Sequence, residues 1–117
     1  MPSIYERRVQ TMELTKESKK VLLKLYKEYL ERMQSGVSRN KAKAFDPDII
    51  GQTLFQEYSS SNFNDYLCEL GSNEYLDNFY GSGIVQYTSL TNLAISEMEN
   101  RFKNGILDVA DFISKFV

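Results

Sequence analysis

Two short amphipathic segments joined by about four polar residues, then two β-prone runs around Gly81-Ser82-Gly83, predict a mostly helical α+β fold of winged-helix type. The order helix, helix, helix, hairpin, helix, helix defines that architecture: a helix-turn-helix that runs directly into a β-hairpin wing. Length agrees, since 117 residues suit one domain around one core, and residues 1–117 read as that single domain.

Taken in order, residues 1–13 are irregular, with Ile4, Tyr5, Val9 and Met12 as scattered apolar points, and read as an N-terminal arm. From Thr15 to Ser35 the pattern is helical: Leu22, Leu25, Tyr26, Tyr29, Leu30 and Met33 recur at spacings of three and four. Thr15 suits an N-cap and Gly36 a stop. Residues 36–45 form a polar, basic connection. Asp46-Pro47 then starts a short helix, because a carboxylate caps the first turn and proline has no N–H to lose there. Ile49, Ile50, Leu54 and Phe55 give its buried side. After the turn Ser59–Asn62, Phe63, Tyr66, Leu67 and Leu70 repeat at helical spacing until Gly71, which reads as the end of the second helix of the pair. The period then changes. Tyr75–Phe79 is predicted to pair antiparallel with Ile84–Thr88 across the glycine-containing tip. Thr91 caps a further helix ending near Gly105, and residues 106–117 form a last one.

The segment IVQYTSLTNLAISEMENRFKNG carries a strand into a Leu-Thr cap and then an amphipathic helix. It resembles the second wing strand and following helix of small bacterial winged-helix proteins. Over about Leu14 to Gly105 the chain resembles the YjcQ-type proteins and their phage and plasmid relatives, which implies the same fold.

Histidine is absent, which removes the commonest general base and any Ser-His or Cys-His pair. The single cysteine, Cys68, lies beside Asp65 and Glu69, acids that disfavour a thiolate, and cannot supply a zinc set alone. Asp46 and Asp48 fit a helix N-terminus better than a catalytic pair. Gly81-Ser82-Gly83 lacks the strand-to-helix context of a phosphate loop. The expectation is a protein that is not an enzyme and needs no cofactor or metal. No internal disulfide is possible, Met1–Gln10 has no apolar signal core, and no apolar run is long enough for a bilayer. A cytoplasmic protein without membrane attachment is expected.

Charge is divided unevenly. Residues 1–45 hold eleven Lys and Arg against five acids, and residues 46–117 hold three against eleven. Such a division either presents a basic face to nucleic acid or lets the two halves attract each other within the fold. The preferred function is a DNA-binding transcriptional regulator. Arg39, Lys41 and Lys43 would grip phosphates, Ser61, Asn62 and Asn64 would meet phosphates and base edges, and Tyr80 would stack from the wing. Against it, the recognition helix carries Asp65 and Glu69 and no Lys or Arg, and the sequence pI is near 5.2. The alternative is a winged helix acting as a protein-interaction module without DNA. The two readings divide on whether Arg39, Lys41 and Lys43 flank the exposed face of the recognition helix. The last helix has a wide apolar stripe, Val109, Phe112, Ile113 and Phe116, which points to a homodimer interface.

Overall fold

The computed structural model describes residues 14–116; the arm read over residues 1–13, and Val117, lie outside the described residues. Helix α1, Lys16–Gln34, is the spine of the core: Val21, Leu22, Leu25, Tyr26 and Tyr29 fall on one buried face. Gly36, at φ 98°, follows its C-cap and allows the Val37 N–H to reach the Arg32 carbonyl at 3.0 Å. The polar connection after it holds one turn, α2 (Arg39–Ala42), and a two-residue strand, β1 (Ala44–Phe45). Helix α3 (Pro47–Thr53) starts as the sequence suggests, with the Asp46 carboxylate accepting from the Asp48 N–H at 2.9 Å.

Helix α4 spans Ser60–Ser72, and its cap is Ser59, whose hydroxyl accepts from the Asn62 N–H at 3.1 Å. Gly71 does not end it. The helix runs on to Ser72, and the left-handed position falls to Glu74 at φ 66°, where the Tyr75 N–H donates to the Leu70 carbonyl at 2.9 Å. Gly71 has another use: a Cβ there would lie 2.4 Å from Asn78 Nδ2, so glycine lets the hairpin approach the helix backbone.

The hairpin consists of β2 (Leu76–Gly81) and β3 (Ile84–Leu90), antiparallel, with Leu76 opposite Leu90 and Phe79 opposite Tyr87. Ser82 and Gly83, at φ 54° and 78°, form the two-residue tip that matches the twist of a hairpin. A register shift leaves Gln86 without an opposite residue, since Tyr80 faces Val85. β1 joins the other side of β3, giving the strand order β1-β3-β2.

Helix α5 (Asn92–Arg101) is capped by Thr91, whose hydroxyl accepts from the Ala94 N–H at 3.1 Å, and α6 (Ile106–Ser114) closes the fold. Helix α1 packs against α4 and α6, while α4 lies on one face of the hairpin. Each of the fully buried Tyr26, Phe45, Phe55 and Tyr75 contributes roughly 1.5–3 kcal/mol by leaving water. The result is a mostly helical α+β fold with a small three-stranded antiparallel sheet. Among the described residues, no helix is long and apolar enough to cross a membrane.

Candidate functional site

Helix α4 turns Phe63, Leu67 and Leu70 inward and leaves Ser61, Asn62 and Asp65 exposed on its N-terminal half. Asn64 is not offered to a ligand as its position in the sequence suggests. Its Oδ1 accepts from the Val85 N–H at 2.9 Å, and its Nδ2 faces Cys68 Sγ at 3.8 Å. It fastens the helix to β3, where the register shift opens a backbone N–H that needs a partner. Asn78 makes a second tie from the hairpin, donating to the Leu67 carbonyl at 2.9 Å and accepting from the buried Thr88 hydroxyl at 2.6 Å.

Glu69 is also used inside the molecule. Its carboxylate accepts from the Thr15 N–H at 2.7 Å, from the Thr15 hydroxyl at 2.8 Å and from the Ser18 hydroxyl at 2.7 Å. Thr15 makes no side-chain cap of its own, so α4 supplies the anionic cap of α1. Burial pushes this carboxyl up, but the hydrogen bonds from Ser18 and Thr15 outweigh burial and hold it below its ordinary value. An acid counted against the exposed face of α4 therefore belongs to the helix junction.

The basic side chains are likewise drawn inward. Lys24 and Lys20 meet Glu57 at 3.2 and 3.6 Å, joining the basic half of the chain to the acidic half. For Glu57, burial raises the carboxyl, yet its hydrogen bonds to backbone and Lys24 and the charges of Lys24 and Lys20 carry it below the ordinary value. Arg32 pairs with Glu28 at 2.9 Å, donates to the Ala44 carbonyl at 2.8 Å and stacks over Phe45.

Arg39, Lys41 and Lys43 lie at the base of the hairpin. Arg39 donates to Asn92 Oδ1 at 3.1 Å, and the Lys43 carbonyl accepts from the Leu90 N–H at 2.9 Å. Lys43 lines a shallow depression with Gly71, Glu74, Asp77 and Ser89, at the C-terminal end of α4. Ser61 and Asn62 begin the same helix at its other end, near the hairpin tip, about 20 Å away along thirteen residues. Arg39 and Lys43 are held at the C-terminal end of α4, away from Ser61 and Asn62.

Four of the large apolar side chains left exposed, Phe79, Tyr80, Ile84 and Tyr87, are on the hairpin. Tyr80 is half exposed, with its hydroxyl 3.3 Å from Asn78 Nδ2. Phe79, not singled out in the sequence, is 69% exposed; with its cross-strand neighbour Tyr87 it lies on the face turned away from α4. Ile84 is exposed at the tip and borders a groove with Pro47, Gly51, Phe63 and Val85. Tyr58, by contrast, is half-buried: its hydroxyl donates to Glu17 and its ring meets Tyr66 edge-on at 5.1 Å.

The stripe on α6 packs in part against its own chain. Val109 is fully buried, and Phe112, Ile113 and Phe116 pack partly buried against the same core. Phe112 meets Phe102 at 5.6 Å and Phe116 at 6.0 Å, and Arg101 lies over its ring. Part of the apolar width is taken up by α1 and Phe102, and Phe112, Ile113 and Phe116 stay partly exposed. Val109 is not available to a second subunit; the exposed apolar residue of this helix is Leu107.

No group of three or more Cys, Asp and Glu side chains suited to a metal ion occurs among the described residues. No family model, curated protein or solved structure matches the chain.

Proposed function

We propose that the chain is a winged-helix domain that works as a protein-interaction module and does not read duplex DNA. The order of helices, the hairpin after α4 and the strand order β1-β3-β2 support the fold reading. One observation carries the functional reading. From residue 44 to residue 100, which includes α3, α4 and the whole hairpin, there is no Lys or Arg, while Phe79, Tyr80, Ile84 and Tyr87 stand exposed. Affinity for DNA comes largely from neutralising phosphates, and this surface offers them only acids and neutral groups. The contacts of Arg39 with Asn92 and of Lys43 with the depression beside Gly71, at the C-terminal end of α4, support this reading over the regulator reading.

The test is a fluorescence-anisotropy titration of random duplex DNA at about 50 mM and about 200 mM salt. No saturable binding is expected at either. Binding at low salt that weakens steeply at high salt would restore the regulator reading.

A further inference from the structure

We infer that residues 1–13 dock back on the domain, with Tyr5, Val9 and Met12 seated in the groove between α1, α5 and α6. The wall of this groove is formed by Leu22 and Leu23 of α1, Met98 of α5, Phe112 of α6 and Phe116 just after it. Phe112 and Phe116 are left partly exposed there. Leu14, the first described residue, lines the groove as well, so the thirteen residues before it join the described chain at the groove wall. Tyr5, Val9 and Met12 stand at i, i+4 and i+7, one face at helical spacing. At about 1.5 Å per residue the whole stripe falls within roughly 14 Å of Leu14.

Charge and tethering choose this occupant. Among the described residues, the charged side chains lining the groove are Lys19 and Arg101. Neither takes part in an ion pair among those residues, and Arg101 lies over the rings of Phe102 and Phe112 instead. The segment brings Glu6 and Glu13, seven residues apart and therefore on one flank of its apolar stripe at helical spacing. Arg7 falls on the side opposite the stripe. A second copy pairing groove to groove would set Lys19 and Arg101 against their own duplicates. A free peptide would have to displace a segment joined to the groove wall, whose effective concentration is on the order of millimolar.

The test uses the full chain with methyl-labelled Val, Leu and Met. Methyl NOEs from Val9 and Met12 to Leu22, Leu23 and Met98 are expected, within one chain. Trypsin supplies a second reading, because Arg7 and Arg8 lie inside the segment and cleavage there requires it to leave the groove. Phe116→Ser, in the groove wall and remote in sequence from the cleaved bonds, should speed that cleavage by about tenfold. Arg101→Glu should speed it by roughly fivefold, and Arg101→Lys by less than about twofold. Cleavage at Lys24 in α1, followed in the same digests, should not change.

Two outcomes overturn the inference: no contact of Val9 and Met12 with the groove, or a Phe116→Ser digest in which cleavage at Lys24 speeds up as much as cleavage at Arg8. Contacts found only between a labelled and an unlabelled chain in a mixed sample also overturn it, in favour of a second copy that exchanges its segment. The hairpin surface rests on other residues, so failure here leaves the interaction-module reading untouched.

Discussion

The C-terminal helix and the hairpin both carry aromatic side chains in excess, and the fold treats them in opposite ways. On α6, Val109 vanishes into the core and Phe112 and Phe116 fold down towards Phe102 and α1. On the hairpin, one face holds Leu76, Asn78, Val85 and Thr88 against α4, and the other leaves Phe79 and Tyr87 in water. Apolar width in a sequence therefore does not identify an interface. A helix can rotate its stripe onto a neighbour. A hairpin with a one-sided covering cannot hide both faces, because alternate side chains point opposite ways.

The largest effect expected from this contrast comes from placing a polar side chain on each side of it. Val109→Asp buries an unpaired carboxylate and should cost about 3–5 kcal/mol or prevent folding. Phe79→Ser should stay within about 0.5 kcal/mol of the parent in urea unfolding, as exposed positions do. Equal losses at the two positions would erase the distinction between them.

A middling effect belongs to the covered face of the hairpin. Gly71→Ala sets a methyl against Asn78 and should cost about 1–3 kcal/mol. The cost should shrink in an Asn78→Ala background, where the obstructing amide is gone, and a double-mutant cycle measures that coupling. Additive losses would mean that Gly71 does not set the approach of helix and strand.

A smaller effect separates the two acids of α4. Glu69→Gln weakens the cap on α1 and should cost about 1 kcal/mol at neutral pH, while Asp65→Asn, on the exposed side, should cost almost nothing. Because the folded-state pKa of Glu69 is depressed, its contribution is present above the ordinary carboxylate pKa. That contribution disappears as pH falls through the lower folded value. The difference between parent and Glu69→Gln should therefore close in acid, as followed by thermal melts across that range.

Most of the fold was legible in local chemistry. Asp46-Pro47, Thr91 and the Gly81-Ser82-Gly83 tip act on neighbours a few residues away, so their signals survive in one dimension. What escaped was set by contacts distant in sequence. β1 has two residues and no alternation to detect, and it exists because β3 offers an edge to it. Gly71 reads as a stop until the hairpin is seen above it. Glu69 reads as a surface acid, since its partners Thr15 and Ser18 lie more than fifty residues away. The candidate surface was only half legible. Tyr80 stood out as a surface candidate, whereas Phe79 was indistinguishable from a core aromatic.

The central claim is that the start of α4 and the hairpin form a surface for protein and not for duplex DNA. Amide spectra recorded while random duplex is added at low salt test it directly, because phosphate attraction is strongest there. The account predicts no shifts at Ser61, Asn62 or residues 76–87. Shifts at Ser61, Asn62 and Lys41 that fade as salt is raised would contradict it.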